Sequence, residues 1–442
     1  MSDEEIELIE RILRLRKIQE YEIYLTKRKA YESIFLKDKV DKERDTTNFD
    51  YVIRILNQKG NKTGIGIVRG NSLIPKDLEK NIDICIKLSK FNVNPKYFFP
   101  SKSTVQKVST FEKNIIKDPL NAKKELVEEL LSEIQQKKDV TPTFGRFRIQ
   151  VNKNFLRNSN SIDIGALKTY FFIEFSLKAQ KEGKLSEFWP FIFVKDRKHL
   201  DFPNRIEKWA KLAKDTLQAK LPKPLKDATI IFSPEVLHHA INPVVGFHAS
   251  GEAFHEKVSL FNINEKVASE NISIYDDGLL EGCLAVNGWD GEGTPHQRNE
   301  IINKGKFQKM LFDQKYAIIE NSKSTGNGAK AINGSIINGI SNIEISPGDM
   351  GLDEMIKNIE EGYYIEQFSD LNPSELTGAF GAEIRNGYYI KDGKFENPIK
   401  QGNVSGNILE MIKNCLYISK EREYFANNLF PYIAFKDLNV SS

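Results

Sequence analysis

Apolar residues recur at helical spacing at Ile6, Ile9 and Leu13, which predicts an N-terminal helix with one buried face. Tyr51-Val52-Ile53-Arg54-Ile55-Leu56 and Thr63 to Val68 then read as strands, joined by the turn Gln58-Lys59-Gly60-Asn61. Pro75 opens a second helix that turns Leu78, Ile82 and Cys85 inward. The stretch from Asn92 to Lys117 is rich in Pro, Ser and Lys and reads as a connection. Asp118-Pro119 has the form of an N-cap with proline at the first helical position, and Leu126, Leu130 and Ile134 share the face behind it. There the period drops to two. Phe147, Ile149 and Val151 alternate with Arg146, Arg148 and Gln150, and Phe171, Ile173, Phe175 and Leu177 repeat the pattern. Lys181-Glu182-Gly183-Lys184 reads as a hairpin turn into a strand from Phe188 to Val194. Pro203 starts a helix with Ile206, Trp209, Ala213 and Leu217 inward.

The clearest boundary is Lys220-Leu221-Pro222-Lys223-Pro224. Beyond it Gly and Asn increase, short apolar runs alternate with turns such as Asn386-Gly387 and Asp392-Gly393, and only Pro234 onward and Ile408 to Leu416 read as helices. The pattern predicts an α+β fold in three parts. Residues 1–100 and 101–222 each form a helix–antiparallel-sheet unit, and residues 223–442 form a mainly antiparallel β domain carrying the motif loops. The first two units echo each other in element order, without a repeat in sequence.

Composition narrows the function classes. The chain has 442 residues, and its 64 basic and 61 acidic side chains leave a net charge of only +3, which argues against a nucleic-acid binder. The three cysteines, Cys85, Cys283 and Cys415, lie far apart and form no CxxC, so a reducing compartment is expected. The N-terminus is acidic and amphipathic, unlike a signal peptide, and no apolar run approaches the ~20 residues needed to span a bilayer. These features predict a cytoplasmic protein with no membrane partner.

Asp290-Gly291-Glu292-Gly293-Thr294-Pro295, Arg298, Gly305, Leu311, Ala317 and Ser324-Thr325-Gly326-Asn327 form an ordered set. It resembles the signature of the TldD/PmbA family of peptide-processing metalloprotease subunits. The order continues upstream through Ile230 to Val236, Gly251, Ser259-Leu260-Phe261 and Ile274-Tyr275-Asp276-Asp277. Downstream it runs through Asn342, Gly348, Gly362-Tyr363-Tyr364, Thr377-Gly378-Ala379-Phe380, Asn397-Pro398-Ile399 and Gly406-Asn407. Gly381 departs from it, standing where a Ser often follows.

The resemblance implies two kinds of subunit. The catalytic kind carries His-Glu-x-x-x-His on the helix after the Ser-Pro, with a Cys near the C-terminus. Counted back from Ser259 and Gly251, the three motif positions fall on Asn242, Pro243 and Phe247, and no Cys follows Lys420. The resemblance therefore implies a TldE/PmbA-like, non-catalytic subunit with no metal of its own. It would pair with a zinc-bearing TldD-like partner, or with itself as a homodimer, to process peptides.

Two other readings stay open. If the chain from His248 is one helix, His248, Glu252 and His255 share a face at i, i+4 and i+7, a feasible ligand set for an independent metallopeptidase. Surface polar residues are the preferred account, since nothing else in the spacing demands a metal. A regulatory binding module without a protease partner is the third reading, and the near-neutral charge weighs against a DNA-directed one. Asp276, Asp277, Asp290, Glu292, Arg298, Thr325 and Asn327 are candidate substrate-facing or interface residues. The loop from Asp290 to Arg298 is expected at a cavity edge or subunit interface, with Arg298 pairing with Glu292 or a substrate carboxylate.

Overall fold

The computed structural model describes residues 2–442, with side chains from Glu4 onward. Helix α1 (Ser2–Leu15) buries Ile6, Ile9 and Leu13, the three positions its spacing singled out. Strands β1 (Tyr21–Leu36), β2 (Lys39–Lys59) and β3 (Lys62–Gly70) follow, then α2 (Pro75–Phe91) and β4 (Val93–Pro95). A short α3 (Lys113–Lys117) leads into α4 (Pro119–Gln135), where the Asp118 side chain accepts from the Asn121 N–H as the predicted N-cap. Strands β5 (Val140–Asn158), β6 (Asp163–Lys181), β7 (Lys184–Phe188) and β8 (Phe191–Val194) precede α5 (Phe202–Thr216). Pro190 lies in the break between β7 and β8, where one strand was expected, because proline has no N–H for a ladder.

All eight strands belong to one sheet, ordered β4-β3-β2-β1-β5-β6-β7 with β8 beside β6. Antiparallel β1 and β5 join residues 1–100 to residues 101–222, so the sheet crosses that expected boundary without a break. The helix–strands–helix order therefore occurs once on each side of the β1–β5 seam. Neither β1 nor the outer half of β2 was legible as a strand. Their Lys-, Arg- and Glu-rich stretches are exposed or half-buried, so no clean apolar alternation marks them.

The C-terminal domain has β9 (Leu225–Phe232), β10 (Ile274–Asp277), β11 (Arg298–Asn303), β12 (Lys306–Phe307), β13 (Gly328–Lys330), β14 (Ile336–Asn338) and β15 (Ile343–Ile345). It continues with β16 (Glu361–Phe368), β17 (Ala379–Lys391), β18 (Lys394–Ile399), β19 (Asn403–Asn407), β20 (Cys415–Phe425) and β21 (Asn428–Ser441). Strands β21, β19, β17, β16 and β9 pair in a ring that closes through β9–β21. An arm of β15, β10, β11 and β12 extends from β21. Most pairings are antiparallel, but β9–β16 and β15–β21 are parallel. Mixed helix and mainly antiparallel sheet make this an α+β molecule.

Helix α6 (Pro234–His248) is capped by Ser233, whose Oγ accepts from the Val236 N–H. Its Leu237, Ala240, Ile241, Val244 and Val245 share one core with Ile230, Phe232, Ile433 and Phe435 of the ring. Pro243 lies inside α6, and its missing N–H leaves the His239 carbonyl without the usual helical donor. Burial of both flanking turns keeps the helix running to His248. Three short helices were not foreseen: α7 (Gly251–His255), α8 (Gln314–Ile319) and α9 (Leu352–Lys357). The expected one, α10, covers Ile408–Lys413. No described helix is long and apolar enough to cross a membrane.

Candidate functional site

The motif loops fold around buried carboxylates. Asp290 is 4% exposed, and its Oδ1 accepts from the Glu292 and Thr294 N–H groups, each at 2.9 Å. Its Oδ2 accepts from the Gly328 N–H at 2.9 Å, tying the acidic loop to the Thr325-Gly326-Asn327-Gly328 loop. Gly293 at φ +87° makes the turn between them, a conformation that suits glycine. Burial, then the neighbouring Glu292, pushes the Asp290 carboxyl up to about 8, and the three N–H donors only partly counter this.

Glu292 points away from that loop into the N-terminal sheet. Its Oε1 accepts from the Tyr97 hydroxyl at 2.6 Å, and its Oε2 accepts from the Gln314 N–H at 2.9 Å. Arg54 Nη1 lies 3.9 Å from Glu292 and 3.4 Å from Glu22, while Lys330 pairs with Glu22 from the C-terminal side. The Arg54 guanidinium also lies over the Tyr97 and Phe99 rings, at 5.2 and 5.3 Å. Two cations and two carboxylates thus form a buried network across the domains.

Behind the loop, Asp276 Oδ2 accepts from Asn327 Nδ2 at 2.7 Å, and its Oδ1 accepts from the Ser341 N–H at 2.6 Å. Burial pushes the Asp276 carboxyl up to about 6. The Thr325 hydroxyl lies 2.6 Å from Asn327 Oδ1 and fixes that amide. Arg298 does not reach Glu292. It lies 3.5 Å from Asp277 and 2.9 Å from Glu344, with its guanidinium 3.7 Å above the Tyr275 ring. The β10–β11 register sets Arg298 opposite Asp277, on the outer side, whereas Glu292 is fully buried.

Asp290, Gly291, His296, Asn327 and Lys330 line a cavity of about 350 Å³, closed on the other side by Tyr24, Asn154 and Lys168 of the N-terminal sheet. Burial and Lys195 bring the Lys168 ammonium down to about 8, and no described group pairs with it. Burial and Lys168 bring His296 down to about 4, so its imidazole is neutral at ordinary pH. Asp290, Gly291 and His296 of this loop thus line a cavity that combines a carboxyl, two ammonium groups and a neutral imidazole.

A second cleft of about 440 Å³ lies along the N-terminal half of α6, walled by Phe191, Phe193, Phe425, Glu235, His239 and Arg385. Burial pushes Glu235 up to about 7, although its carboxylate accepts from Gln367 Nε2 at 2.8 Å. Deeper in, Asn242 and Asn428 exchange side-chain hydrogen bonds at 3.0 and 2.9 Å, and His238 Nδ1 bonds to Asn428 Oδ1.

Residues 226–442 match the family description "PmbA/TldA metallopeptidase C-terminal domain". The C-terminal half of the chain is a domain of the TldD/PmbA family. Relatives of the chain include an uncharacterized protein of Methanocaldococcus jannaschii, 30% identical over 285 residues, covering 64% of this chain and 65% of that protein. A TldD homolog metalloprotease of Buchnera aphidicola is 31% identical over 222 residues, 47% of this chain and 44% of its own length. The matched stretches thus span between about half and two thirds of these relatives. The crystal structure of TldE from Thermococcus kodakarensis superposes with a TM-score of 0.86 at 20% identity, covering 98% of this chain and all of that one. It shares the fold.

The residues of this TldD/PmbA-type domain do not fit a zinc centre. Asn242 is locked to Asn428, and Pro243 offers no ligand atom. His248, Glu252 and His255 do not share a helical face, because α6 ends at His248 and α7 starts afresh with Ser250 as its cap. His248 is fully buried and its Nδ1 accepts from the Leu260 N–H at 3.1 Å, while the exposed His255 pairs with Glu320 at 2.7 Å. Among the described residues, no three His, Cys, Asp or Glu side chains are grouped to hold a metal ion. Lys168, His296, Arg54 and Tyr97 escaped the sequence reading. Arg54 did carry a signal, as the one charge inside an otherwise apolar strand run.

Proposed function

We infer that this chain is a TldE/PmbA-like, non-catalytic subunit of a heteromeric zinc metalloprotease, serving to hold peptide for a TldD-like partner that carries the metal. One observation carries the reading: the sequence contains no His-Glu-x-x-x-His. Its single His-Glu pair is His255-Glu256, and Leu260 stands where the second His belongs. The α6 region supports it, since Asn242, Asn428 and His238 are engaged with one another. The aromatic cleft beside α6, with Arg385 on its wall, offers apolar and charged contacts to an extended peptide.

The test has two parts. Elemental analysis of the purified chain is expected to show no stoichiometric zinc. Unfolded peptide is expected to stay intact with this chain alone and to be cut, in a chelator-sensitive way, once a TldD-like partner is added. About one tightly held zinc per chain, or hydrolysis by this chain alone that His255→Ala abolishes, would overturn the reading in favour of an independent metallopeptidase. Size-exclusion chromatography of the same mixture distinguishes the heteromer from a homodimer.

A further inference from the structure

The N-terminal sheet carries an unusual row of side chains. Leu25, Lys27, Lys29 and Tyr31 alternate along β1 and therefore share one face. Leu25 stands opposite Phe155, Lys29 opposite Val151, and Lys27 opposite both Lys153 and Phe49. This face turns toward the helices, yet its centre is basic where its two sides are apolar. Like charges directly opposite each other on a sheet are destabilising.

These residues line a cavity of about 330 Å³ at the β1–β5 seam, where α1 and the α3–α4 segment part. Leu25, Phe49, Val151 and Phe155 give it an apolar floor, and the three lysines stand among them. None of the three ammonium groups makes an ion pair or hydrogen bond with a described residue. The nearby carboxylates of β2 are taken, since Glu43 and Asp45 both pair with Lys123 of α4. Glu5 of α1 also reaches the cavity, but its buried Oε2 has no hydrogen-bond partner, so it leaves the lysines unsatisfied. Three ammonium groups against one carboxylate give the cavity a positive excess over an apolar floor.

We propose that this seam cavity binds a carboxylate-headed amphiphile, with its apolar tail on the Leu25–Phe155 floor and its carboxylate among Lys27, Lys29 and Lys153. The size falls at the lower end of the range for small-molecule pockets, which suits a single medium-length chain. The assignment is independent of the peptide-holding role, because the cavity lies away from α6 and on the face of β1 and β5 opposite to Tyr24 and Asn154, which close the motif-loop cavity.

Calorimetric titration of the full chain with decanoate, decanol and decyltrimethylammonium, each below its aggregation concentration, tests the proposal. Decanoate is expected to bind at one site, decanol roughly ten-fold more weakly or less, and the cation not at all, since the charge-assisted hydrogen bond supplies the difference. Lys27→Met with Lys153→Met keeps the apolar stems. It should bring decanoate to the level of decanol while leaving decanol unchanged. No binding of decanoate by the native chain marks the lysines as merely solvated and overturns the proposal. Equal binding of decanoate and decanol, or unchanged decanoate affinity in the double variant, overturns it as well. The native-chain comparison stands whether or not the variant folds.

Discussion

Asp290 shows how one side chain organises a site. Its two oxygens satisfy three backbone N–H groups from two loops that are 38 residues apart at Asp290 and Gly328. Removing the carboxyl leaves three buried donors without partners, each worth ~1–3 kcal/mol. Asp290→Ala is therefore expected to destabilise the chain by about 3 kcal/mol or more. Asp290→Asn keeps one acceptor oxygen and should cost less. Urea midpoints at constant pH measure both, and equal midpoints for the two variants would show that the N–H contacts contribute little. The same reasoning explains why acids at a turn look alike in sequence. Asp290 and Glu292 are two residues apart, but one braces a loop and the other crosses to the opposite sheet.

At the scale of elements, α6 sets the character of its cleft through Glu235. Burial raises this carboxyl from 4.5 to about 7. The folded chain therefore keeps a proton that the unfolded chain has already released, so this group's contribution to stability is complete below about 4.5 and lost as pH rises through about 7. Glu235→Gln is expected to remove that downward slope between those pH values. Denaturant midpoints of the native chain and the variant, taken across the window, should converge at its acid end and separate at its basic end. Parallel curves would show that Glu235 titrates normally. Elements of this kind were partly legible. Helix α6 announced itself by Ser233-Pro234, and β5 and β6 by the alternation at Phe147 and Phe171, because each buries one face. Strand β1 did not, since Lys27, Arg28 and Lys29 follow one another without apolar alternation. The pairing of Arg298 was hidden for a different reason: strand register decides it, and sequence spacing near Glu292 does not encode register.

For the whole molecule, the decisive contact joins residues 195 positions apart, Tyr97 and Glu292, and no local pattern could have revealed it. Glu22 and Arg54 come from the N-terminal sheet, Glu292 and Lys330 from the C-terminal domain, and together their charges balance in a buried interface. Glu292→Gln preserves shape and an acceptor for the Tyr97 hydroxyl but leaves two buried cations against one carboxylate. Breaking a buried ion pair in this way costs ~3–5 kcal/mol. The loss falls on the junction, which an apolar cluster joining Ile206 and Trp209 to Ile231, Tyr364 and Tyr432 also spans, so the variant is expected to unfold at a lower denaturant midpoint than the native chain. Earlier proteolytic cutting between Asn92 and Lys117, the connection that carries Tyr97, should accompany it. Glu270→Gln serves as the control, because its exposed pair with Lys266 contributes little. An unchanged midpoint in Glu292→Gln would mean that apolar contacts alone hold the sheet to the C-terminal domain. The buried charges would then serve to orient the motif loops over their cavity and would not fasten the two halves together.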